Sequence, residues 1–340
     1  MIERQEEYVG AVIEEIRERK KEAGEPIETI YIGGGTPSTL GQRDLSRICQ
    51  AMDSDDVREW TMEVNAGDAD LDYFRQIRQM GINRLSIGIQ SFQDELLRLI
   101  GRRHTSEQAV KAVRMAQEAG FDNLSIDLMY ALPTQTMEQW KADIETSLVL
   151  GIQHLSCYGL MLEEGTALTQ MIERGDLEAI DEEVENAMYD ALCARLKEAG
   201  FVHYEVSNFA LPGYEAQHNS NYWNDTPYLG IGAGAHSYTR VKGKAVRSWN
   251  PNDLDAYING VLAHNLQRES ETLTDVDLYN EQVMLGLRTR RGLPRTKIKG
   301  DISRHVERGL LSETEDGRIV ATQKGLHILN QIIADLIIEN

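Results

Sequence analysis

The chain is poor in cysteine: it has three thiols in 340 residues, Cys49, Cys157 and Cys193, and no C-x-x-C pair. An odd, scattered set argues against a disulfide framework and points to a reducing compartment, so a cytoplasmic location is expected. Long apolar runs are missing too. No stretch reaches the roughly 18 residues needed to cross a bilayer. The opening segment, residues 2–24, carries charges throughout, unlike a secretory leader. Positive charge is also short, since 35 Lys and Arg stand against 55 Asp and Glu, a net −20. Such a surface repels DNA and anionic lipid, which argues against nucleic-acid binding and leaves peripheral membrane association only through a partner protein. Aromatics make up just 6%. Aliphatic content is ordinary, and the length allows a full α/β core with a small second domain.

What the chain does contain is organised around residues 29–37, TIYIGGGTP. The run from Ile27 to Ile32 reads as a buried strand opening into three glycines, where backbone groups approach a ligand without Cβ interference. Before it, Tyr8, Val9, Val12, Ile13 and Ile16 share one helical face, and that helix, ending at Gly24, is expected to cover the strand. Residues 44–52 read as a helix and 59–65 as the next strand. The chain then repeats itself, with GINRLSI from Gly81, GFDNLSI from Gly120, GIQHLSC from Gly151 and a looser copy from Gly200. Each glycine is read as the left-handed residue that ends a helix and feeds a strand. Thr105 with Gln108, and Thr136 with Gln139, fit capping boxes. Repeated helix-Gly-strand units imply right-handed crossovers and a parallel sheet, so the fold class is α/β, with a TIM-like barrel or part of one preferred to a doubly wound sheet.

Beyond Tyr204 the character changes, and residues 208–234 are rich in Asn, Gly, Pro and Tyr. We divide the chain into a barrel over 1–207, an irregular elaboration over 208–271 and a winged-helix-like module over 272–340. The last comprises a helix at 275–288, a short helix at 302–308, a hairpin across Asp316-Gly317, and a final helix with Leu326, Leu329, Ile332, Ile333 and Leu336 on one side. Acidity and the lack of a Lys/Arg stripe argue against DNA binding by it.

Parallel sheets bind ligands at the carboxyl ends of their strands. Those ends carry Gly33 to Thr36, Glu63 and Asn65, Gln90 and Ser91, Asp127, and Tyr158. Polar residues in otherwise apolar strands are costly unless paired or used, and their convergence is more informative than any one of them. Singly, Glu63 and Asp127 read equally well as structural carboxylates, and Arg102, in GRRH, as a surface charge or a partner for a ligand carboxylate. His154, His203, His264, His305 and His327 lack partners at metal-ligand spacing and read as structural or surface residues. His218 heads HNSNYW, with Asn219, Tyr222 and Trp223, and His236 sits in GAGAHSY. Such an irregular loop fits the wall of a planar macrocycle pocket, with a histidine for its iron, and fits a pinned structural loop as well. The three cysteines read as isolated core thiols.

YIGGGTPS, EVNAGD, RLSIGIQSF, GRRH, SIDLMYALP, LSCYGLMLEEGT, HNSNYW and YLGIGAGAHSY, in this order, resemble the radical S-adenosylmethionine (SAM) family of oxygen-independent coproporphyrinogen III oxidase and the heme chaperone HemW. The similarity runs along nearly the whole chain. HNSNYW is similar to the motif of the heme-binding branch. The resemblance implies a partial (β/α)6 barrel lacking its first strand, with a small C-terminal domain. It implies that Gly33, Gly34, Gly35 and Thr36 contact SAM, Glu63 its amino group, Gln90 and Asp127 its ribose and Arg102 its carboxylate. It also implies heme as ligand, with His218, Asn219, Tyr222 and Trp223 as candidates to hold it. Family members begin with a C-x-x-x-C-x-x-C loop that carries a [4Fe–4S] cluster, and residues 1–28 contain no cysteine. No cluster, no metal ligands and no SAM cleavage are therefore expected of this chain, and an open sheet edge that would permit a homodimer. Ala66 and Ala131 stand where the family usually has Pro and Gly. The expected function is heme binding and delivery to a heme-accepting protein, with coproporphyrinogen III oxidation as the alternative. A cofactor-free enzyme using Glu63 and Asp127 as acid and base is the third reading.

Overall fold

The computed structural model describes residues 4–24, 26–35, 37–52 and 56–339. Its centre is a seven-stranded sheet of order β1-β2-β3-β4-β5-β7-β6. Five parallel strands come first: β1 (Thr29–Ile32), β2 (Glu59–Asn65), β3 (Arg84–Gln90), β4 (Leu124–Tyr130) and β5 (His154–Gly159). A hairpin of β6 (Val202–Glu205) and β7 (Asn208–Ala210) completes the sheet, with β7 antiparallel to β5. This is the α/β partial barrel expected. The glycines that end helices ahead of β3, β4 and β5 have φ of +101°, +91° and +70° at Gly81, Gly120 and Gly151. Both capping boxes form. The looser repeat behaves differently: Gly200 feeds β6, but only residues 206 and 207 separate β6 from β7. That is too short for a crossover, so the chain folds back as a hairpin.

Alternation within the strands sorts two environments. Trp60, Met62 and Val64 of β2, Leu85, Ile87 and Ile89 of β3, and Leu124, Ile126 and Leu128 of β4 pack outward in one core with the surrounding helices. Among those helices, Met137–Val149 buries Trp140 completely and its indole N–H donates to the Met188 carbonyl at 2.9 Å. The opposite faces point into the curl of the sheet and are polar.

The opening helix, Gln5–Arg19, does not cover β1 as expected. Its apolar face, Val9, Val12, Ile13 and Ile16, packs with Ile48 and with Tyr257, Ile258 and Val261 of the helix Leu254–Leu262. Glu15 explains the displacement. Only 1% exposed, it accepts hydrogen bonds from Gly232 N–H (2.8 Å), Asn250 Nδ2 (2.8 Å), the Tyr257 hydroxyl (2.7 Å) and the Arg19 guanidinium (3.1 Å). A buried carboxylate with this many partners fixes the helix against residues 230–262 instead. That middle region carries a second antiparallel sheet, β8 (His236–Val241), β9 (Lys244–Trp249) and β10 (Glu269–Thr272).

The C-terminal part has its own core around Val283, Leu287, Leu310, Ile319 and Ile332. A three-stranded sheet, β11 (Leu293–Pro294), β12 (Leu311–Glu313) and β13 (Arg318–Ala321), packs with the helices Asp275–Leu287, Ser303–Glu307 and Leu329–Leu336. Leu326 belongs to a separate short helix, Gln323–Leu326, so the final helix starts later than its apolar pattern suggests. Among the described residues no helix is long and apolar enough to cross a membrane.

Candidate functional site

Two cavities of about 430 and 270 Å³ lie inside the curl of the sheet and share Glu63, Ser86 and Asp127. The larger is closed on one side by HNSNYW, which is a helix, Gln217–Trp223, and not the irregular loop expected. Asn, Ser and His are weak helix formers, and Ala216 at the N-cap offers no side-chain acceptor. The cap comes from far away in sequence. Glu59, 3% exposed at the start of β2, accepts the backbone N–H groups of Gln217 and His218, both at 2.8 Å. A carboxylate there satisfies two orphan donors and complements the helix dipole.

This cap sets His218 in place. Its ring stacks on Tyr31 with centroids 5.3 Å apart and planes 23° apart. Nδ1 lies 2.9 Å from Thr29 Oγ1 and Nε2 lies 3.0 Å from the Tyr222 hydroxyl. Burial, then the Arg84 charge, push its pKa down to about 4, so the ring is neutral near pH 7 and keeps a lone pair. A neutral imidazole oriented by a hydrogen bond on one nitrogen is the form that ligates metals through the other. Asn219 and Tyr222 line the same cavity. Trp223 does not line it, and its indole N–H is buried without a partner.

The floor of the larger cavity contains His154, for which the sequence suggests only a structural or surface place. It is 1% exposed, with Nδ1 2.7 Å from Ser125 Oγ and Nε2 2.8 Å from the Tyr204 hydroxyl. Asn219 Nδ2 donates to that same hydroxyl at 3.3 Å. Burial, with Arg84 nearby, holds His154 neutral.

The smaller cavity is lined by Gly35, Glu63, Gln90, Arg102 and Asp127 among others. Five of the expected SAM contacts therefore converge. Glu63 accepts from the Tyr31 hydroxyl at 2.6 Å and the Gly34 N–H at 3.2 Å. A Cβ on Gly33 would run into the Tyr31 ring and lie 2.7 Å from Glu63 Oε1, so any larger residue would displace that pair. Thr36 lies outside the described residues. Gln90 adopts φ 71° at a bulge in β3, a strained backbone of the kind that accumulates at ligand sites. Arg102 donates to Asn65 Oδ1 at 3.4 Å. Asp127 accepts from Ser86 at 3.0 Å, and burial pushes its pKa up to about 6. A glycine cradle, a carboxylate and a guanidinium around free volume fit an amino-acid-bearing cofactor such as SAM.

Two other polar residues of these motifs lie elsewhere. The Ser91 hydroxyl donates to Asp143 at 2.7 Å in the core, and His236 stacks on Trp249 in the second sheet. Tyr158 does line the larger cavity, together with Tyr31, Glu59, Arg84 and His154, which the sequence did not single out. The signal for Glu59 and Arg84 was present in the alternation of EWTMEVN and RLSIGIQ, where every second residue is inward.

The cysteines do not fit an iron–sulfur cluster. Cys49 and Cys157 are buried, and Cys193 is half-buried on a helix. Cys49 sits on the helix Gln42–Met52, Cys157 on β5 and Cys193 on the helix Glu182–Glu198, so no local loop gathers the three, and burial raises the pKa of each thiol.

A glycine-cradled pocket at the carboxyl ends of parallel strands defines a radical SAM-type barrel, and the pattern of the radical SAM superfamily matches residues 3–146. The solved coproporphyrinogen III oxidase HemN from Escherichia coli has the same fold, with a TM-score of 0.81 at 24% identity over 98% of this chain and 83% of that one. Sequence relatives narrow the class. The chain is 34% identical to the heme chaperone HemW of Lactococcus lactis over 98% of its own length and 90% of the relative's. It is 31% identical to HemW of Bacillus subtilis over 96% and 90%. The chain belongs to the HemW family of the radical SAM superfamily.

Proposed function

We propose that the protein binds heme and passes it to an acceptor protein in the cytoplasm, as the names of its relatives say of them that they are heme chaperones. The observation that carries this reading is His218: neutral, oriented through Nδ1 by Thr29, stacked on Tyr31, and with Nε2 paired to the Tyr222 hydroxyl. Tyr222 is 42% exposed, so its hydroxyl can yield Nε2 to iron without core rearrangement. In this reading residues 1–207 supply the SAM-binding barrel, 208–271 the heme ligand, and 272–340 a packed terminal module. Gly33, Gly34, Gly35, Glu63, Gln90, Arg102 and Asp127 would hold SAM, whose reactive chemistry is the cofactor's own. Glu63 would meet its amino group and Arg102 its carboxylate, while Asp127 and Gln90 meet hydroxyl groups. Coproporphyrinogen oxidation has the shared motifs and the fold likeness but no such feature in its favour.

Heme titration followed in the Soret region tests the proposal. The wild-type chain should bind with a histidine-ligated spectrum, and His218→Ala should weaken binding at least about tenfold, the equivalent of about 1.4 kcal/mol, and change that spectrum. An unchanged affinity and spectrum would remove His218 as ligand.

A further inference from the structure

We propose that Arg84 is the anchor for a carboxylate of the ligand that enters the larger cavity, which is a propionate side chain in the heme reading on which this inference rests. Arg84 opens β3 and is only 2% exposed, yet it lines that cavity. Among the described residues its guanidinium has no hydrogen bond and no ion pair within 4.0 Å, and its Nε is buried without an acceptor. Its register partner on β2, Thr61, has a hydroxyl that is likewise buried and unpartnered.

The other charged groups of the lumen are already engaged. Glu59 takes two backbone N–H groups, Glu63 takes the Tyr31 hydroxyl and the Gly34 N–H, and Asp127 takes Ser86. His154 and His218 are uncharged, so they neither need nor offer a counter-ion. This leaves one buried guanidinium beside a hydroxyl with no carboxylate within ion-pair distance: Asp127 is near enough to feel its charge but is hydrogen-bonded to Ser86. An unpaired buried cation is among the costliest groups a protein interior can hold, and a fork of N–H donors is the geometry that grips a carboxylate with two parallel bonds. The site therefore resembles the half of an ion pair whose other half arrives with the ligand. Arg102, the second cation, sits in the smaller cavity with Asn65 as partner, so the lumen offers two separate carboxylate sites, one at each cavity.

The test compares heme with heme dimethyl ester, in which both propionates are masked, on the wild type, Arg84→Gln and Arg84→Lys, with SAM affinity measured in parallel by calorimetry. Wild type should prefer the free acid by on the order of 30-fold, the size of a buried charge pair lost. R84Q should bind acid and ester alike, and R84K should retain part of the preference. Equal binding of acid and ester by the wild type overturns the inference, as does a preference that survives in R84Q. If heme binding and its dependence on His218 persist in those cases, the chaperone reading stands without Arg84. No heme binding by the wild type sinks both. A fall in SAM affinity in R84Q with the heme preference intact assigns Arg84 to the amino-acid carboxylate and overturns the claim. Should circular dichroism show R84Q unfolded, the acid-to-ester ratio of the wild type decides alone.

Discussion

Glu59→Gln separates the cap from the rest of the barrel with the smallest available change. The carboxylate accepts Gln217 N–H and His218 N–H at 2.8 Å each. In the amide one oxygen still accepts, but an NH2 group now faces the other N–H. That leaves one buried donor unsatisfied and removes the charge from the surviving bond, a loss of about 1–3 kcal/mol. Losing a carboxylate from the N-terminus of the helix costs about 0.3–1 kcal/mol more. The sum, about 1–4 kcal/mol, falls on a helix of 7 residues, too short to persist on its own. The expected result is local opening of residues 217–223 while the sheet stays closed. Hydrogen exchange measures this directly: the amides of Gln217 and His218 should exchange about 10- to 1000-fold faster than in the wild type, with the amides of β3 and β4 little changed. Heme affinity should fall alongside, since Thr29 and Tyr31 would no longer meet the ring. Unchanged exchange at 217 and 218 would refute the capping argument, and equal acceleration across the sheet would show that the helix is not an independent unit.

Two further outcomes follow from the same lumen. The His218 pKa drops from an ordinary 6.5 to about 4, so the unfolded chain binds more protons between those values. The stability His218 contributes is present above pH 6.5 and is lost by about pH 4, a change of roughly 3 kcal/mol. Asp127 runs the other way. Its pKa rises from 3.8 to about 6, so its contribution is present below pH 3.8 and is lost as pH rises through 6. Urea unfolding from pH 4 to 7 should thus show the wild type losing its margin over His218→Gln toward acid and its margin over Asp127→Asn toward neutrality; parallel curves for all three would contradict both assignments. For Gly33→Ala, the new methyl lands on the Tyr31 ring and the Glu63 carboxylate. Overpacking of about 1–3 kcal/mol should displace that pair and weaken SAM binding at least about tenfold by calorimetry, and an unchanged SAM affinity would show that Glu63 is not a contact.

The repeat GINRLSI and its copies were readable because a left-handed glycine after a helix is a local device that needs no distant partner. The capping boxes at Thr105 and Thr136 were readable for the same reason. Glu63, Gln90 and Asp127 could be collected because parallel topology brings inward residues of neighbouring strands together, although Asp127 stands mid-strand in β4 and not at its end. What escaped was set by distance in sequence. Glu59 caps a helix 158 residues away, and nothing local to HNSNYW reveals a helix whose cap lies on another strand. His154 looked bland because its partners, Ser125 and Tyr204, lie on other strands of the sheet. The hairpin after β6 follows from a spacer of two residues, too short for the crossover that the glycine pattern suggests. Ala131 has φ 57°, which gives a backbone reason for the glycine that the family usually carries there.

Glu15 bears on how the chain is made. Its partners Gly232, Asn250 and Tyr257 lie 217, 235 and 242 residues downstream. At ribosomal rates of about 5–20 residues per second, the last of them emerges some 10–50 s after Glu15 itself. For that interval the carboxylate keeps its water, and the stripe of Val9, Val12, Ile13 and Ile16 has no complete surface to dock on. The helix Gln5–Arg19 thus leaves the ribosome well before the segments it packs on, and it is among the last elements to find its place.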